Sequence, residues 1–365
     1  MTHIEALPTP ALLLDLDVLE HNLDRMSDRA EQLGVALRPH IKTHKCIEIA
    51  ELQRQRSIAG LTVSTLYEAR VFAENGFTDL TWAFPLALSR LSEAIDLATR
   101  SRLGLVIDSE EALAALTSLP PRESPLHVWI KVDCGYHRAG VDPRAEATVR
   151  LAGDIVGSSS LVFAGILSHS GDAYHGKDGN EIAAIAERER AAMVELAERL
   201  RSSGIEVNGI SVGSTPAMTH VRNLEGVTEA RPGNYALFDY TQHVLGSCSV
   251  DECAATVLAS VVSRQANHSV IDAGALSLSR DPGPRGADGT SMGRIFLDPG
   301  SKELDPDLRV VSVSQEHGIV NGSLAVGTKL RIVPNHSCLT VACFDEYQVV
   351  GGDTVVDRWK IWRGR

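Results

Sequence analysis

Nowhere does this chain sustain the ~18 consecutive apolar residues of a membrane-spanning helix. Its first fifteen residues, MTHIEALPTPALLLD, lack a basic segment followed by an apolar run, so no secretory leader is expected. It lacks a CxxC pair, and its six cysteines (Cys46, Cys134, Cys248, Cys253, Cys338 and Cys343) are few for 365 residues. That argues against a disulfide framework; free thiols in a reducing cytosol, one of them a metal ligand, are the plainest reading. Positive charge is also in deficit: 35 Lys and Arg against 47 Asp and Glu leave a formal net charge of −12. General nucleic-acid or membrane-surface binding is therefore not expected. Internal repeats and low-complexity tracts are missing as well. A 44% hydrophobic, 22% charged composition remains, ordinary for a globular protein large enough to fold without staples.

Against that acidic background, RPHIKTHK (Arg38–Lys45) concentrates cations and imidazoles. It lies in an alternating pattern. ALLLDLD reads as a strand, and Leu19, Leu23, Met26, Ala30 and Leu33 form one helix face ending at Gly34. From VALRPHIKTH onward, GLTVST, DLTWAFP, RLGLVIDS, LHVWIKVD, FAGILSHS, GISVGST and ARPGN complete eight strands with helical material between most of them. The expected class is α/β, a TIM-type (β/α)8 barrel over residues 10–243; an open doubly wound sheet is the competing arrangement. Beyond it the chain turns β-rich, predicting a mainly β domain over residues 244–365 joined by residues 1–9.

In a (β/α)8 barrel the chemistry sits at the C-terminal strand ends. There this sequence places HIKTH, KVDCGYHRAG (Lys131–Gly140), SHSGDAYHG (Ser168–Gly176), SVGSTP (Ser211–Pro216) and EARPGN (Glu229–Asn234). VGST alone is most simply a turn, but with RPGN it could cup one phosphate monoester. A lysine able to form a Schiff base and a phosphate cup together suit pyridoxal 5′-phosphate (PLP). Read as a strand, period two aligns Arg38, His40, Lys42 and His44, so Lys42 faces the pocket and Lys45 turns away. In PNHSC, the same period would put His336 and Cys338 on one side, a nitrogen–sulfur pair suited to Zn²⁺. A buried cysteine beside a surface histidine is the alternative.

In order, PTPALLLDLDVLEHN, RPHIKTHK, KVDCGYHRAGV, SHSG, VGST, RPGN, DAGALSLSRDPG, SQEHG and PNHSC resemble the fold-type III PLP enzymes. The likeness covers nearly the whole chain, and lies in the branch of metal-activated D-serine dehydratases and D-threonine aldolases, more distantly alanine racemase. The resemblance implies Lys42 as the Schiff-base lysine and Tyr174 as an active-site tyrosine. It implies His169 stacked on the cofactor ring, Arg138 near the phenolic oxygen, and Gly213, Ser214, Thr215, Gly233 and Asn234 around the phosphate. Arg231 matches the pyridine-nitrogen arginine, with Glu229 as competitor. His336 and Cys338 match the ligands of Zn²⁺ (or Mn²⁺), and Cys338, where the aldolases carry aspartate, tilts the choice toward dehydration.

The implied reaction is loss of water and ammonia from a 3-hydroxy-D-amino acid (D-serine, D-threonine or 3-hydroxyaspartate), giving a 2-oxo acid. Retro-aldol cleavage to glycine and an aldehyde is the first alternative; a non-catalytic PLP-binding protein is one of another class. A β-carboxylate on the substrate would need a spare cation near the metal, with Arg280 and Arg294 as candidates. A homodimer acting on a small D-amino acid in the cytoplasm is expected, with neither nucleic acid nor membrane as partner.

Overall fold

Short β-branched and leucine-rich segments, most of them followed by a helix, dictate the first architecture. In the computed structural model, which describes residues 2–284 and 291–364, eight parallel strands run in chain order. They are β1 (Ala36–Leu37), β2 (Leu61–Val63), β3 (Asp79–Pro85), β4 (Arg102–Ile107), β5 (Leu126–Lys131), β6 (Leu161–Leu167), β7 (Ile210–Val212) and β8 (Glu229–Ala230). β8 pairs in parallel with both β7 and β1. Closure comes at a parallel bridge between His40 and Thr62, reinforced by Ile41 N–H to Thr62 O at 2.9 Å and Thr62 N–H to Pro39 O at 2.8 Å. The sheet is therefore a (β/α)8 barrel rather than an open sheet.

Leu105, Ile107, Val128, Ile130 and Ile166 are fully buried, and each such side chain contributes roughly 1.5–3 kcal/mol of transfer free energy. Side-chain oxygens set the helix starts. Ser109 caps Glu110–Thr117, Thr65 and Glu68 form a capping box on Leu66–Glu74, and Asp178 caps Gly179–Ser202.

An ionic layer crosses the closing seam. Arg38 on the β1 side donates from Nε to Glu229 Oε2 (2.8 Å) and from Nη1 to Asp79 Oδ1 (2.6 Å), while Ser211 Oγ donates to Glu229 Oε1 (2.5 Å). Arg38 and Glu229 are buried, so each charge depends on the other's presence.

The second compact unit comprises Thr43–Leu52 and Asn234–Arg363 with the segment ending at Arg25. Its sheet has ten strands. Ala255–Arg264 pairs with both Ser269–Ile271 and Lys329–Val333, which closes six of them into a small antiparallel barrel. The segment Ala11–Asp15 is a strand of this sheet, antiparallel to Ala255–Leu258 and parallel to Gln348–Val350. By packing, the unit boundaries fall at Arg25/Met26, Lys42/Thr43, Leu52/Gln53 and Gly233/Asn234, whereas composition had suggested residues 10 and 243. Among the described residues no helix is long and apolar enough to cross a membrane.

Two sequence-level expectations are corrected. The strand at RPHIKTHK ends early: Ile41–His44 are turn, not extended chain. His40 Nδ1 accepts Lys42 N–H (3.4 Å) and His44 Nδ1 accepts Cys46 N–H (3.2 Å), so side chains replace the ladder. The alternation from Arg38 to His44 therefore fails beyond His40; Arg38 is spent on the ion layer and His44 is fully buried. Likewise the strand before PNHSC stops at Val333, and His336 is the extended N-cap residue of the short helix Ser337–Val341.

Candidate active site

Lys42 lies in the turn that follows β1, half-buried, at the C-terminal end of the barrel. Around the half-buried His169, just past β6, four cations converge: Lys42, Lys131, Arg138 and Arg231. Burial first, and then those four charges, hold the His169 imidazole well below its ordinary pKa, so it is neutral at physiological pH. In a protein of net charge −12 this is a locally positive pocket, shaped for an anionic ligand. His169 Nδ1 lies 3.3 Å from Gly213 O, which fixes the ring orientation.

Arg231, buried beyond β8, donates from Nη1 to Ser211 Oγ and from Nη2 to Ser168 O. Desolvation lowers its pKa to about 10, against the opposing pull of Glu229 and Glu189. Glu229 itself has both oxygens occupied by Arg38 and Ser211, so it no longer competes with Arg231 for a ligand nitrogen. Arg138 is exposed and lies over the Tyr136 ring at 5.2 Å. Tyr174 is half-buried in the single helical turn Gly171–His175.

The turn after β7 is glycine-dependent. Gly213 has φ +105°, and buried Ser214 and Thr215 follow it. Ser214 Oγ accepts Ala217 N–H at 3.4 Å and lies 3.3 Å from Ser170 Oγ. Gly233 is constrained differently: a Cβ there would sit 2.7 Å from His40 O, so close approach to the β1 extension excludes any side chain.

In the antiparallel unit, His336 Nδ1 lies 3.0 Å from Asp281 Oδ2. The His336 and Cys338 side chains are in hydrogen-bonding contact, so the i, i+2 pair comes together although its backbone is a cap and a helical turn. Burial lowers the His336 pKa, but Asp281, Cys338 and Asp239 outweigh it and push it up to about 11. Surroundings that favour a proton there also favour a divalent cation, and the nitrogen–sulfur donor set suits zinc. Among the described residues no group of three or more His, Cys, Asp or Glu side chains could hold a metal, so the pair would leave coordination positions open. Cys338 Sγ is 3.1 Å from Thr43 Oγ1, the residue after Lys42 in the chain.

Asn234, expected at the phosphate, uses its side-chain amide here. Nδ2 donates to Asp239 Oδ2 (2.6 Å) and Ser337 Oγ (3.0 Å), bracing the turn that carries Cys338. Of the proposed β-carboxylate cations, Arg280 is exposed and Arg294 is buried, donating to Tyr240 Oη at 3.0 Å; residues 285–290 of the loop between them lie outside the described residues. Sequence reasoning missed Lys131, Glu189, Asp239 and Asp281. Lys131 opens the KVDCGYHRAG motif and was detectable as a lysine at a strand end. Asp281 stands in the DAGALSLSRDPG segment, but it is 55 residues from its histidine and nothing in the sequence paired the two.

A parallel barrel with this cationic mouth, in one chain with a closed antiparallel β-domain, defines the alanine racemase class of architecture. Residues 14–241 match the alanine racemase N-terminal domain and residues 254–350 the serine dehydratase domain. The D-threo-3-hydroxyaspartate dehydratase of Delftia sp. (strain HT23) is 36% identical over 98% of both chains. Its solved structure superposes with a TM-score of 0.95 over 100% of each chain at 35% identity, and structures of its Cys→Ala mutant (a metal-free form) and His→Ala mutant reach the same score. The D-serine dehydratase of Dictyostelium discoideum is 36% identical, covering 97% of this chain and 96% of its own. The D-threonine aldolase of Arthrobacter sp. is 31% identical over 97% and 92%. The chain belongs to the fold-type III PLP enzyme family, in the branch that contains these dehydratases and aldolases.

Proposed function

We propose that this protein is a PLP- and metal-dependent lyase that converts a 3-hydroxy-D-amino acid to a 2-oxo acid and ammonia. The observation that carries this reading is the Asp281–His336–Cys338 cluster: an oriented imidazole beside a thiol, in a chain whose barrel mouth gathers cations around His169. In the Delftia relative, whose name is that of a dehydratase, the mutated histidine and cysteine are likewise two residues apart, and the cysteine mutant was obtained metal-free.

When bound, PLP acidifies the substrate Cα–H and a Zn²⁺ or Mn²⁺ ion supplies Lewis-acid assistance to loss of the β-hydroxyl. Lys42 would carry the cofactor, and its Nζ would be the base for the Cα proton. His169 would lie against the ring as a neutral imidazole, which its lowered pKa supports. Arg138 would face the phenolic oxygen. The Gly213–Thr215 turn, with Gly233 and Asn234, would line the phosphate. Arg231, which keeps its proton, would be the donor to the ring nitrogen. Tyr174 would close over the substrate. His336 and Cys338 would hold the metal, the first oriented by Asp281 and the second by Thr43. A homodimer is proposed from the family resemblance, and the six free thiols support a cytoplasmic location.

The test is a product screen over D-serine, D-threonine and 3-hydroxyaspartate, with and without Zn²⁺ or Mn²⁺. Ammonia and a 2-oxo acid are expected; glycine and an aldehyde would establish the aldolase reaction instead.

A further inference from the structure

Asp281 holds the His336 ring, but nothing assigned so far holds the backbone that presents Cys338. That backbone runs beside the segment Asp239–Thr241. Tyr240 N–H donates to Pro334 O (3.0 Å), Thr241 N–H to Asn335 O (3.3 Å) and Thr241 Oγ1 to the same carbonyl (2.7 Å). Asp239 completes the pairing with its side chain, which is 1% exposed. Its Oδ1 accepts Gln242 N–H at 2.9 Å, capping the short helix Tyr240–Val244. Its Oδ2 accepts Ser337 N–H (2.9 Å), Ser337 Oγ–H (3.1 Å) and Asn234 Nδ2–H (2.6 Å). Ser337 lies between His336 and Cys338 in the chain, so one carboxylate anchors the residue that joins the two metal-ligand candidates.

Each of these contacts is a donor to Asp239. Ser337 Oγ itself accepts from Asn234 Nδ2 at 3.0 Å, which turns its own hydrogen toward the carboxylate. A protonated Asp239 would have no acceptor here, so the arrangement suits the anion. Burial opposes that charge, and among the described residues no Lys or Arg pairs with it; the cationic group that acts on it is His336. A buried carboxylate with hydrogen bonds but no fixed cation is costly unless a positive charge joins it. An imidazole that ligates a metal in its neutral form brings no charge of its own. A divalent ion on the two residues flanking Ser337 would supply that charge.

We propose that Asp239 is a positioning residue of the metal centre: it fixes the start of the turn that presents Cys338, and its buried charge favours a divalent cation on His336 and Cys338. This rests on the metal-dependent reading above and adds to it a residue that touches neither ligand side chain's donor atom.

The experiment is titration of Zn²⁺ into the full chain with PLP bound, after chelator treatment, followed by calorimetry. Co²⁺ serves as a second probe, because its ligand-field bands report the geometry at the metal. Asp239→Asn removes the charge and keeps the size. It is expected to lower Zn²⁺ affinity about 10–100-fold and to shift the cobalt bands. Ser337→Ala removes one of the two hydrogen bonds from Ser337 and leaves the charge; a loss of about three- to tenfold is expected. Circular dichroism and cofactor absorbance matching the wild type show that the variants are folded and loaded with PLP. A merely structural Asp239 would lower the thermal midpoint of the metal-free protein and leave affinity and cobalt bands alone. Wild-type affinity and unshifted bands in Asp239→Asn therefore overturn the proposal. If that variant does not fold, unchanged affinity and bands in Ser337→Ala overturn it instead. A wild type that binds neither ion would overturn the metal-dependent reading itself, so the two failures are distinguishable.

Discussion

Asp281 Oδ2 lies 3.0 Å from His336 Nδ1, which leaves Nε2 as the ring nitrogen that would meet a metal beside the Cys338 thiol. The carboxylate sets the ring's orientation and makes it a better donor. Removing it with Asp281→Ala is expected to weaken Zn²⁺ affinity roughly 10–100-fold. Metal titration by calorimetry checks this, with the cofactor spectrum unchanged.

Cys338→Ala is expected to remove the metal while PLP remains bound. Turnover of 3-hydroxyaspartate should fall with it, and chelator treatment of the wild type should reproduce that loss. Full activity after chelation would show that the metal takes no part in the reaction.

Lys42→Ala should lose the cofactor's visible absorbance band and reduce turnover by about 10³-fold or more, since one amine both carries the cofactor and moves the proton. Lys45→Ala should retain both. Lys45 has φ +50° and precedes the helix Ile47–Arg54, and its carbonyl accepts Trp362 N–H at 2.7 Å.

Arg38→Met should leave Glu229 buried without its cation and lower stability by roughly 3–5 kcal/mol. A fall in the thermal midpoint of the holoenzyme measures it. The same change at the exposed Arg102, bound to Asp79 at 3.1 Å, should cost far less.

Much of this was legible in the chain itself. Eight strands punctuated by helices can be counted because parallel strands, buried on both faces, read as apolar runs such as LGLVI and WIK. Lys42, His169 and the VGST turn were recognisable as strand-end residues. What misled was local alternation. Period two assumes a continued ladder; at His40–Cys46 side-chain acceptors replace it, and at Asn335–Cys338 the chain turns into a short helix. Asn234 is assigned to the phosphate by the resemblance alone; its side-chain amide braces Asp239 and Ser337, the second a contact 103 residues away that no local pattern announces.

The sequence by itself determined the barrel, the β-rich second half and the residue types available for cofactor and metal, because periodicity and strand-end position are properties of neighbours in the chain. Only the tertiary structure decided how those residues are paired. Arg38 meets Glu229 across 191 residues, His336 meets Asp281 across 55, and Ala11–Asp15 joins a sheet whose other strands come mostly from the far end of the chain. Long-range pairing depends on which surfaces pack together, and it alone separates the arginine used up in an ion layer from the lysine left for a ligand.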